Sequence, residues 1–132
     1  MENKILLLES GLLVEYDVVH DWLYVDWRGL QDLASVKDGC EKILEFLKLE
    51  HCHKILNDNT RVTSIWSEAA EWLAYDWAPR ATAAGLKYLA WIYSPNIYSK
   101  LSTDETLRLT KEPYLALAFT DLDTAKSWLA QM

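Results

Sequence analysis

The chain has 132 residues, 51% of them hydrophobic and 25% charged, so it holds one domain's worth of core-forming surface and is neither disordered nor low-complexity. Thirteen Lys and Arg against 20 Asp and Glu leave a net charge of −7, which argues against non-specific binding to nucleic acid or anionic membrane. Two cysteines are too few for a disulfide framework, and no stretch has the length of a membrane span or the plan of a secretory signal, so a reduced, cytoplasmic, single domain over residues 1–132 is expected.

In chain order, Lys4–Glu9 reads as a short strand ended by Ser10-Gly11. Leu12–Val19 alternates, with Val14, Tyr16 and Val18 on one face and Glu15 and Asp17 on the other. Trp22–Trp27, rich in aromatic and β-branched residues, follows after His20-Asp21 and completes a hairpin closed by Arg28-Gly29. From Asp32 to Glu50 the period becomes helical: Val36, Cys40, Ile43, Leu44 and Leu47 form the apolar stripe, and Ser35 with Asp38 resembles a capping box. Lys54–Asn57 reads as a short buried strand, and Asn57-Asp58-Asn59-Thr60 as a polar loop after it.

A second helix is expected from an N-cap at Thr63 or Ser64, with Ile65, Ala69, Trp72, Leu73 and Trp77 as its stripe, a kink at Pro79 and an end at Gly85. Leu86–Tyr93 has the near-continuous apolar character of a central strand. A short helix from Ser102 or Thr103 to Leu109, a strand over Tyr114–Phe119 and a terminal helix capped by Thr120, with Asp123 at the capping-box position, complete the chain. The order β-β-β-α-β-α-β-α-β-α predicts an α/β fold: a mixed, mostly parallel sheet with an N-terminal β-hairpin and helices packed on it.

Ligands of parallel sheets bind beyond the carboxyl ends of the strands. Asn57, Asp58, Asn59 and Thr60 are expected at such an end, before a helix N-terminus whose free N–H groups favour an anion. Trp27 and Arg28 close a neighbouring strand and add an aromatic wall and a forked cation. The same polar residues also have the ordinary chemistry of a turn. Of the seven Trp, Trp72, Trp77, Trp91 and Trp128 fit core positions. Trp22, Trp27 and Trp66 lie near element ends and are candidates for contact, Trp27 and Trp66 foremost. His51-Cys52-His53 contains metal-ligand types, but adjacent residues rarely point at one ion and the wider spacing of structural zinc sites is missing. No nucleophile elbow, glycine-rich phosphate loop or His-Glu-x-x-His is present. No metal, cofactor or catalytic residue is therefore expected.

The element order, the polar run Asn57-Asp58-Asn59-Thr60, the Gly85–Ser94 segment and the ending from Phe119 to Leu129 resemble the STAS-like families, the sulfate-transporter and anti-sigma-factor-antagonist fold, in their small single-domain bacterial form. The resemblance implies a non-catalytic regulatory or interaction module that binds a partner protein or small ligand at the strand-to-helix loop, here residues 57–66. Switch members carry an Asp-Ser pair there. In this chain Asn59 follows Asp58, so the phospho-switch is not carried over. The alternative expectation is a carrier or sensor of an apolar or anionic small molecule, gripped between Trp27-Arg28 and the segment from Asn57 to Trp66. An enzyme using Asp58 as acid or base is a third, and a homodimer through an exposed aromatic strand face accompanies the first.

Overall fold

The strands are β1 (Lys4–Leu8), β2 (Leu12–Asp17), β3 (Trp22–Gly29), β4 (Lys54–Val62), β5 (Tyr88–Ile92) and β6 (Leu115–Phe119). The helices are α1 (Leu33–Leu49), a composite α2 over 67–83, α3 (Ile97–Leu109) and α4 (Leu122–Ala130). This computed structural model describes residues 3–132. One six-stranded sheet runs in the order β1-β2-β3-β4-β5-β6. β1, β2 and β3 pair antiparallel, and β3 through β6 pair parallel. The mixed, mostly parallel sheet with an N-terminal hairpin is as expected, and each parallel step is bridged by a helix.

Alternation along the strands divides the core in two. Leu23, Val25 and Trp27 of β3, Ile55 of β4, and Leu89 and Trp91 of β5 face the apolar stripes of α1 and α2. Trp22, Leu56, Ala90 and Ile92 face the other way, against Ala125 and Leu129 of α4. Trp22 is thus a core residue, 1% exposed and stacked on His20 at 4.3 Å between ring centroids, and not a contact surface. The exposed apolar residues of the strands are aliphatic and lie on the outer strands β1 and β6: Ile5, Leu8, Leu115 and Leu117.

The largest correction concerns β4. It runs nine residues rather than four, so Asn57, Asp58, Asn59 and Thr60 lie inside a central strand and form no loop. Asn57 and Asp58 pair with Trp91 and Ile92 of β5 on one side and with Val25 and Asp26 of β3 on the other. The pairing slips between Asp26/Asp58 and Arg28/Arg61, where β4 carries one residue more than β3. Residue types typical of turns are tolerated here because side-chain partners satisfy their polar atoms, as described below.

The helix ends differ in detail. Asp32, not Ser35, caps α1: its carboxylate accepts from the Ser35 amide at 2.9 Å, and Ser35 Oγ accepts from the Asp32 amide at 3.0 Å. α1 closes with Cys52 N–H on the Leu47 carbonyl and His51 N–H on the Lys48 carbonyl, His51 taking a φ of 51°. Thr63 and Ser64 do not cap α2, which opens as a 3₁₀ turn at Ser67–Ala69 with no side-chain cap. A π turn, Leu73–Trp77, precedes Pro79, and Ala78 N–H reaches back five residues to the Leu73 carbonyl. That wider turn makes room for a ring that would clash with the carbonyl four residues earlier, so the helix continues through Pro79. Gly85, with φ 106°, ends it as expected. α3 begins at Ile97, earlier than its pattern implied, capped by Asn96. Asp121, not Thr120, caps α4.

Candidate functional site

A cavity of about 60 Å³ lies between the sheet and helices α1 and α2. One enclosed water needs only ~10–15 Å³. Four indoles line it: Trp27 from β3, Trp66 from the β4–α2 connection, Trp77 from α2 and Trp91 from β5. Val36, Cys40 and Ile43 of α1 complete much of the apolar wall, and Gln31, Asn57 and Asn59 supply polar atoms. No Asp, Glu, Lys, Arg or His is among the lining residues.

α1 comes close to β3 because residue 39 is glycine. A Cβ there would collide with the Trp27 ring and sit 2.8 Å from Leu12 Cδ2. The outer edge of the Trp27 ring thereby packs against the helix at Gly39, and its Nε1–H donates to Asn57 Oδ1 at 3.0 Å. Asn57 Nδ2 in turn donates to Asn59 Oδ1 at 3.2 Å. Trp77 Nε1–H donates to the Cys40 carbonyl at 2.8 Å, and Trp66 Nε1–H to Ser99 Oγ of α3 at 3.1 Å. The Trp66 and Trp91 rings stack at 5.9 Å, 9° from parallel. Trp91 is 8% exposed, yet its Nε1–H has no acceptor among the described residues. A buried donor left unpaired costs about 1–3 kcal/mol. Cys40 is buried in the same wall, which pushes its thiol well above the usual range, with a smaller push from Glu41.

On the opposite face, the register sets Asp26 beside Asp58. Both are almost fully buried. Arg28 Nε and Nη2 donate to Asp26 Oδ2 at 3.0 and 2.8 Å, and Arg61 Nη1 reaches both Asp26 oxygens at 3.2 Å and lies 3.9 Å from Asp58. The Tyr24 hydroxyl donates to Asp58 Oδ2 at 2.7 Å, and the Thr60 amide and hydroxyl both donate to Asp58 Oδ1. Burial, then the Asp58 carboxylate, raise the Tyr24 phenol far above its ordinary value, so it stays a donor. Every oxygen of the two carboxylates has a partner.

The seven expected site residues therefore separate. Trp27, Asn57, Asn59 and Trp66 converge on the cavity. Arg28 and Asp58 belong to the ion network across the sheet, and Thr60 is exposed beside them. The pairing of Trp27 with Arg28 as wall and cation fails because successive strand residues point to opposite faces. Ser64, expected as a cap, instead ties two connections together: the Gln31 amide donates to Ser64 Oγ at 2.8 Å, and that hydroxyl donates to the Gln31 carbonyl at 3.0 Å. Trp77, Trp91, Cys40 and Gln31 are wall residues that the sequence reading assigned to core packing or left unassigned. Trp91 lies two residues beyond Leu89, so the inward face was legible, but its unpaired donor was not. At His51-Cys52-His53, Cys52 Sγ donates to the Asp21 and Lys54 carbonyls and His53 Nδ1 lies 2.8 Å from the Gly85 carbonyl. No three His, Cys, Asp or Glu residues among the described residues are grouped to hold a metal ion. No helix among them is long and apolar enough to cross a membrane. Neither a family model nor a curated protein sequence matches the chain.

Proposed function

We infer that this protein is a non-catalytic ligand-binding module, a carrier or sensor of a small, largely apolar molecule held between the sheet and helices α1 and α2. Of the two leading expectations from sequence, this is the small-molecule one, moved from a surface loop to the interior, and the STAS-like kinship is part of the same proposal. The observation that carries it is a cavity walled by four tryptophans and free of charged side chains. Concave apolar sites with a few polar groups are the usual form of small-molecule sites. Buried amides and an indole donor in that wall are features that simple core packing avoids.

Toluene is a suitable first probe, because it needs only apolar room. Titration into the native protein should change the tryptophan emission saturably and raise the melting temperature, as binding to the folded state alone requires. The variant Ile43→Trp, which fills the cavity, should lose both effects while remaining folded by far-ultraviolet circular dichroism. No saturable response in the native protein up to the solubility limit of toluene would overturn the reading.

A further inference from the structure

We propose that the ligand of this cavity is an uncharged, largely apolar small molecule carrying a hydrogen-bond acceptor, which takes the Trp91 Nε1–H and is assisted by the Asn59 amide. The inference rests on the cavity being a binding site. Its first support is the Trp91 donor, buried and without a partner among the described residues. The second is a chain of hydrogen bonds whose direction is forced. An indole Nε1–H can only donate, so the Asn57 atom facing Trp27 is its oxygen. Asn57 then turns its amide nitrogen to Asn59, and the Asn59 atom receiving it is an oxygen. That leaves Asn59 Nδ2 as the end of the chain, while Trp91 Nε1 is the one buried side-chain polar atom without a partner among the described residues. Asn59 and Trp91 both line the cavity. The unpaired indole N–H calls for an acceptor, and the Asn59 amide nitrogen is a second donor on a residue of the same wall.

The absence of Lys, Arg and His from the wall sets the charge of the ligand. A carboxylate brought there would lose its hydration with no cation to compensate, and a protonated amine would meet donors rather than acceptors. Arg28 and Arg61, on the strands that carry Trp27, Asn57 and Asn59, are committed to Asp26 on the far face of the sheet. The stacked pair Trp66 and Trp91, with Trp27 and Trp77 around it, presents flat aromatic surface that suits a ring. A carbonyl on an apolar ring has the matching chemistry.

Three probes of nearly equal size separate the possibilities: ethylbenzene, acetophenone and benzoate, titrated at neutral pH into the native protein and followed by calorimetry and tryptophan emission. Acetophenone should bind roughly 3- to 10-fold more tightly than ethylbenzene, the value of one net hydrogen bond, and benzoate should bind least. In Trp91→Phe the acetophenone-to-ethylbenzene ratio should fall toward one. A ratio is read in each case, so a general loss of stability in a variant does not mimic the effect. Equal binding of acetophenone and ethylbenzene in the native protein, or a ratio unchanged in Trp91→Phe, would overturn the acceptor while leaving the cavity as a site. Tighter binding of benzoate would overturn the uncharged ligand. If none of the three binds, the inference and the reading beneath it fall together.

Discussion

Asp26 and Asp58 are neighbours across two parallel strands, and like charges placed so are unfavourable unless compensated. Compensation comes from Arg28, Arg61, Tyr24 and Thr60, all of which turn toward the same face. The two arginines are roughly half exposed, which discounts the value of each ion pair. Either Arg28→Ala or Arg61→Ala alone should cost about 1 kcal/mol in urea denaturation, because the other arginine still covers Asp26. The double variant should cost more than the sum, since Asp26 is then left buried without any cation. Additive small losses would show that the network is not shared. At this scale little was visible in advance: Asn57, Asp58 and Asn59 have turn-forming chemistry, and only the partners Trp27, Tyr24 and Thr60, brought by β3 and the strand's own pleat, make them strand residues.

Among the elements, α1 was the most legible and α3 the least. The α1 stripe of Val36, Cys40, Ile43, Leu44 and Leu47 is buried as its period requires. The buried face of α3 is Ser99, Ser102, Thr103 and Thr106, while Ile97, Tyr98 and Leu101 are exposed, so no apolar period marks its first turns. Ser102, Thr103 and Thr106 hydroxyls bond back to carbonyls four residues earlier, and Ser99 and Ser102 meet Trp66, so a polar helix face docks without unpaired groups. Gly39 sits mid-helix, where Ala would ordinarily stabilise by about 1 kcal/mol. Here the added methyl drives into Trp27, so Gly39→Ala should instead destabilise by about 1–3 kcal/mol and alter the near-ultraviolet dichroism of the tryptophans. A thermal melt that rises in this variant would refute the close approach of α1 to β3.

Over the whole molecule, several phenols are held neutral by packing. A hydrogen bond to Asp21, then burial, push Tyr16 up to about 12. Burial, then Asp104, push Tyr93 up to about 12. Burial moves Tyr24 and Tyr114 higher still. A phenol whose folded value is raised contributes stability that is whole below the unfolded value of ~10 and is lost as the pH climbs through the folded one. Alkaline titration should therefore show tyrosinate absorbance developing late in the native protein and together with loss of tertiary dichroism. Native and urea-denatured titration curves that superimpose would contradict this.

Chain-local information was sufficient for the element order, the hairpin, the parallel crossovers, the end of α2 at Gly85 and the α1 face. Each of these follows from period, turn residues and handedness within a short window. The site was only half available in the same way. Trp27 and Trp66 were legible as aromatic residues at element ends, but the sheet decided that Trp27 faces the cavity and Arg28 the opposite side. Whether a polar run is a loop or a strand depends on who pays the cost of burying it, and those partners lie about thirty residues away in β3. The unpaired Trp91 donor is likewise a property of its neighbours, since an indole reads as core packing until the space around its nitrogen is known.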